Sequence, residues 1–133
     1  MKNFSIYEEN GADIGFVVEC LFSQCLSMNE FKQWADYVVS HIGVDDIPSY
    51  IFKVSQFSGC LARIFDVLGF IPEWPLHESQ KEALYGIAYI RGIVKIHDYE
   101  LSREAALKAL ENNPDVSDYF RRTFPFIHCE LNT

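Results

Sequence analysis

SMNEFKQWADYVVSHIG, residues Ser27 to Gly43, decides the fold class of this chain. Ser27 and Glu30 stand in the Ser-x-x-Glu relation of a capping box, where each side chain accepts from the other residue's backbone N–H. Phe31, Trp34, Ala35, Val38, Val39 and Ile42 then recur at three- and four-residue steps. That spacing lines one face of a helix. Gly43 offers the left-handed conformation with which helices often end. The stretch predicts a helix over 28–42.

Downstream, HIGVDDIPSY (His41–Tyr50) holds a histidine, two aspartates and a proline within ten residues. It reads as a helix joint rather than a metal or acid–base site, because sites need convergent groups and adjacent aspartates diverge. Pro48 suits a first helical turn, where its missing N–H costs nothing. Asp45 and Asp46 just before it are placed to cap free N–H groups. Tyr50, Val54, Phe57, Leu61, Ile64 and Leu68 follow a 4-3-4-3-4 spacing. They predict one long helix ending at Gly69, with Ser58-Gly59 as a point of kink or break.

FIPEWPLHE reads as an ordered connection, with Trp74 on the core. Ser79 and Glu82 form a second candidate capping box, opening a helix to Gly92 through Leu84, Ile87, Ala88 and Arg91. Ile93–Ile96 is open between helix and extended link. Ser102 is the expected N-cap of a helix bearing Ala106, Leu107 and Leu110, and Asn113-Pro114 resets the chain into a last short helix. Pro125 stops that helix, and Phe126 and Ile127 are expected to fold back onto the core. Upstream, Ile14 to Leu26 reads as a buried helix, and Phe4 and Ile6 as a weak extended edge without a partner. The expectation is one all-α domain, a single-domain bundle of about five to seven helices.

A chain of 133 residues with eleven Phe, seven Tyr and two Trp can bury one sizeable core without staples. It has no apolar run long enough to span a membrane. Acids stand in MKNFSIYEENGADIGF where a secretory leader needs an apolar core, so a cytoplasmic location is expected. Cys20, Cys25, Cys60 and Cys129 have irregular spacings in apolar surroundings, and reduced, mostly buried thiols are expected. Nineteen acids against eleven Lys and Arg give a net charge of −8. That excess argues against nucleic acid as a direct ligand and fits a basic protein partner. Residues 1–46 alone hold eight acids against two lysines, a net of −6.

Chemistry is sparse. Cys20 and Cys25 are five apart and point to different faces of a helix. His128-Cys129 is a poor nucleophile–base pair at a tail, and His97-Asp98 is isolated before a helix start. There is no Gly-rich phosphate loop, His-Glu-x-x-His pattern or zinc spacing. No enzyme activity, cofactor or metal is expected.

Four blocks, MNEFKQWADYVVSHI, DIPSYIFKVSQFSGCLARIFDVLGFIP, EALYGIAYIRG and LSREAALKALENNPDVSDYFRRTFPFI, together resemble the small α-helical immunity proteins of bacterial contact-dependent growth inhibition systems. The resemblance spans residues 28–127. It implies a non-enzymatic inhibitor of the cognate toxin C-terminal domain, commonly a nuclease, and carries no residue-level site. A nuclease must be basic to hold phosphate, and an inhibitor can place carboxylates where phosphates would go. Glu8, Glu9, Asp13, Asp45 and Asp46 are therefore the expected toxin-binding acids, with Tyr7 and Tyr50 as aromatic companions. A helical bundle whose aromatics line a small-molecule pocket is the alternative, although helix-stripe spacing explains those aromatics by core packing.

Overall fold

The computed structural model describes residues 4–73, 76–92 and 101–128. The fold is all-α. Among the described residues there are seven α-helices: α1 (Ala12–Phe22), α2 (Met28–His41), α3 (Ser49–Ser55), α4 (Ile64–Leu68), α5 (Glu78–Arg91), α6 (Arg103–Asn112) and α7 (Pro114–Thr123). Short 3-10 turns at Val44–Asp46 and Leu61–Arg63 precede α3 and α4. None of these helices is long and apolar enough to cross a membrane. Contacts divide the chain into two compact units, Met1–Val18 with Ser27–Trp74, and Glu19–Leu26 with Pro75–Thr133.

In the first unit, α2 starts where its capping box places it. Ser27 Oγ accepts from Glu30 N at 3.2 Å, and Glu30 Oε1 accepts from Ser27 N at 2.9 Å. Phe31, Trp34, Ala35 and Val38 are buried, and the Phe31 and Trp34 rings stack 6.2 Å apart. Burial of each large side chain contributes about 1.5–3 kcal/mol. The end of α2 departs from expectation. Gly43 has φ −62°, ordinary extended backbone. The Tyr37 carbonyl is met by Ser40 Oγ and by His41 Nδ1, each at 2.8 Å. The chain leaves the helix extended at Ile42, without a left-handed glycine turn.

The long helix expected from Pro48 to Leu68 is two short ones. Pro48 is the N-cap of α3, and no side chain caps it. Asp45 and Asp46 lie instead in their own 3-10 turn, whose Asp46 N–H donates to Gly43 O at 2.9 Å. The break runs from Gln56 to Cys60. There the Phe57 ring folds against Gly59, where a Cβ would come within 2.9 Å of it. The 4-3-4-3-4 pattern survives as burial rather than as one helix: Tyr50, Val54, Ile64 and Leu68 are buried, and Phe57 and Leu61 half-buried. Gly69, at φ 82°, ends α4 and donates to Phe65 O at 2.9 Å.

α1 begins two residues before Ile14 and stops at Phe22, short of the expected Leu26. Gln24 takes a left-handed φ of 64°, and Cys25 N donates back to Cys20 O at 3.1 Å. That turn brings Cys25 Sγ to 3.4 Å from Cys20 O. The two cysteines, expected on different faces of one helix, are therefore neighbours in the second unit. Burial, then the Cys25 side chain beside it, pushes the Cys20 thiol well up, which keeps it protonated and inert. Cys20, Cys25 and Cys60 are free thiols, and Cys60 is exposed.

In the second unit, α5 opens at His77 rather than at Ser79. Gln80 Oε1, not Glu82, returns to the His77 N–H at 2.9 Å. Gly92 closes α5 at φ 70°. Ser102 caps α6, accepting from Ala105 N at 3.2 Å. Pro114 occupies the first turn of α7, as expected. Asn113 closes α6 and opens α7, and its side chain donates to Ala109 O at 2.8 Å. Along the contact of α5 with α6, Gly86 lies so close that a Cβ there would stand 2.6 Å from Ala106 O. Val116, Phe120 and Phe124 complete this core, and Phe126 packs edge-on against Phe124 at 6.2 Å. The expectations for Trp74, Ile93–Ile96, His97-Asp98 and Cys129 lie outside the described residues.

Candidate functional site

The expected acids fall into three places in the first unit. Glu8 and Glu9 form the exposed tip of a tight turn closed by Tyr7 N to Asn10 O at 3.1 Å and Asn10 N to Tyr7 O at 3.0 Å. Asp45 and Asp46 are exposed on the 3-10 turn after α2. Asp13 sits in the first turn of α1. Its carboxylate accepts from Ser5 N at 2.8 Å while its own N–H donates to Ser5 O at 2.8 Å. Asp13 is thus committed to tying the N-terminal segment to α1, where a carboxylate also meets the positive end of the helix dipole.

The first two groups are brought together by a tyrosine. Tyr7 OH donates to Asp46 O at 2.6 Å, a contact across 39 residues of sequence. This bond joins the Glu8-Glu9 turn to the Asp45-Asp46 turn. Among the described residues, no cation or hydrogen-bond donor engages the side chains of Glu8, Glu9, Asp45 or Asp46. Four carboxylates thus lie on two joined turns, unneutralised by any of the described residues.

Tyr50 does not present itself to a partner. It is 5% exposed, and its OH donates to Ile6 O at 2.5 Å. Its ring meets Phe70 edge-on at 5.4 Å. It braces the residue before Tyr7 and so positions the acidic turn. Burial, then the neighbouring Tyr7 and Asp13, pushes the Tyr50 phenol far above its usual range. A raised folded-state value means that the neutral phenol stabilises the fold at every pH below about 10, and that this contribution falls as pH rises beyond it. Tyr50→Phe should cost about 1–2 kcal/mol near neutrality, because it strands the Ile6 carbonyl. Above pH ~10 the gap from wild type should narrow, since the variant has no phenol to ionise. Urea denaturation on both sides of that pH checks the sign.

No three His, Cys, Asp or Glu converge to hold a metal ion among the described residues. His128 is exposed. In the second unit, Tyr85 is half-buried, and burial followed by Glu78, Glu19 and Glu82 raises its phenol. Charge and interface preference pointed to Tyr7 from the sequence, but its bond to Asp46 had no signal there. No family model, no curated protein and no solved structure matches this chain.

Proposed function

We propose that the chain is an immunity protein that binds and neutralises a cognate toxin domain, a basic nuclease, of a contact-dependent growth inhibition system. The observation that carries this reading is the joined pair of exposed turns, Glu8-Glu9 and Asp45-Asp46, held by the Tyr7–Asp46 hydrogen bond. Carboxylates without partners among the described residues break no ion pairs there when a guanidinium or ammonium arrives. Held on two backbone-closed turns, their backbones are already ordered before binding. A nuclease's phosphate-binding face offers the complementary charge. The aromatic side chains support the same reading over a ligand pocket, since Phe31 with Trp34 and Phe120 with Phe124 pack on each other within their units.

The test is kinetic. Asp45→Lys/Asp46→Lys should slow association with the purified, catalytically inactivated toxin domain by about tenfold at low salt and flatten its salt dependence. Surface plasmon resonance at several ionic strengths reads both. Unchanged association would remove the acidic turns from the interface.

A further inference from the structure

The turn that ends α1 sets two cysteines against each other. Gln24 N donates to Leu21 O at 3.2 Å, and Cys25 N donates to Cys20 O at 3.1 Å. With Gln24 at φ 64°, these are the two bonds of a Schellman motif, which packs the residue after the left-handed position against the one five before it. Here those residues are Cys25 and Cys20, both fully buried. Covalent geometry on either side of the 3.1 Å bond keeps their Cα atoms within about 7 Å, the outer reach of a disulfide. Cys25 Sγ lies 3.4 Å from Cys20 O, so its side chain turns back toward Cys20. Arg91 Nη1 donates to Cys25 O at 2.7 Å and ties the turn to α5.

We propose that Cys20 and Cys25 are a modification site for hydrogen peroxide, closing to a disulfide that staples the C-terminal turn of α1. This chemistry is independent of any toxin partner. Gln24, a left-handed residue other than glycine, makes the turn costlier to hold than a glycine turn, and its local opening admits a molecule as small as peroxide. Cys25 Sγ attacks one peroxide oxygen, the O–O bond breaks, and the thiol proton leaves with the departing oxygen as water. Cys20, which burial keeps protonated, is the slower of the two to attack and condenses with the sulfenic acid formed on Cys25. The S–S bond forms, the S–OH bond breaks, and the Cys20 proton leaves in a second water. Two thiols have then given two electrons to one peroxide.

Trypsin cuts after Lys2 and Lys32, so Cys20 and Cys25 share one peptide that holds neither Cys60 nor Cys129. The folded wild-type chain is treated with hydrogen peroxide, unfolded in urea with iodoacetamide, digested and read by tandem mass spectrometry. The expected peptide lacks the two thiol hydrogens, takes up no iodoacetamide, and regains both thiols with dithiothreitol. The oxidised chain should melt about 5 °C higher, because the staple restricts the unfolded chain without straining the native turn. Two alkylated cysteines, or oxygen on Cys25 with Cys20 still alkylated, would overturn the site. A disulfide that lowers Tm would overturn it too, since such a bond forms only by distorting the turn. Cys20→Ser should leave Cys25 as a sulfenic acid that dimedone labels, while Cys25→Ser should leave Cys20 unlabelled. Labelling the other way round would overturn the order of attack.

Discussion

Trp34→Ala is expected to lower the unfolding free energy by about 3–5 kcal/mol, and Trp34→Phe by only about 1 kcal/mol. Trp34 is fully buried on α2, so truncation to alanine removes both its transfer free energy and the packing around the ring. The indole adds a second consideration. Its Nε1–H is buried with no hydrogen-bond partner among the described residues. A buried donor left without a partner costs about 1–3 kcal/mol. Phenylalanine keeps the stacked ring against Phe31 and removes that donor, so relief offsets much of the lost volume. Because domains are stable by only about 5–15 kcal/mol, that loss would remove a large share of the total. Urea melts of both variants decide the matter. Equal losses for phenylalanine and alanine would mean that the indole N–H is satisfied and contributes to stability.

Gly86→Ala sets two rules against each other. Helix propensity alone favours alanine over glycine by about 1 kcal/mol in the interior of α5. Packing opposes it, because the new methyl would meet Ala106 O at 2.6 Å and Leu110 Cβ at 3.0 Å. The nearer atom is backbone, which cannot rotate aside, so α5 and α6 would have to separate. Overpacking of this kind costs about 1–3 kcal/mol, and the expected net result is a loss of about 2 kcal/mol. Gly92→Ala is the informative comparison. It has open space around it but a φ of 70°, and should lose about 1 kcal/mol through backbone strain alone. A Gly86→Ala variant more stable than wild type would show that the two helices separate without cost.

What the sequence made legible was what depends on neighbours in the chain. The capping box at Ser27 and Glu30, the buried stripe of α2 and the Ser102 cap involve residues three or four apart, the Pro114 start depends on that residue alone, and all are present. The misplacements came where distant or alternative partners decided. Gly43 is not left-handed: the helix ends at Ile42 with extended backbone that carries straight on through Gly43, at φ −62°. The periodic run from Tyr50 to Leu68 kept its buried face while the backbone broke at Gln56–Cys60, since burial periodicity reports which residues face inward and not whether one helix carries them. Ser79-Glu82 matched the capping spacing, yet His77 and Gln80 hold the place. The acids at Glu8, Glu9, Asp45 and Asp46 were legible by charge. Their being brought together was not, because Tyr7 and Asp46 are 39 residues apart.

Both tyrosine bonds that build the acidic end of the first unit accept at main-chain carbonyls, those of Asp46 and Ile6. A peptide carbonyl is supplied by any amino acid. The side chains at positions 8, 9, 45 and 46 can therefore be exchanged without touching the framework that displays them. Such a surface is free to drift: each new combination of residues is offered on the same scaffold. A lineage carrying it could follow a changing partner by surface substitution alone, with the penalty for exploring kept away from the core.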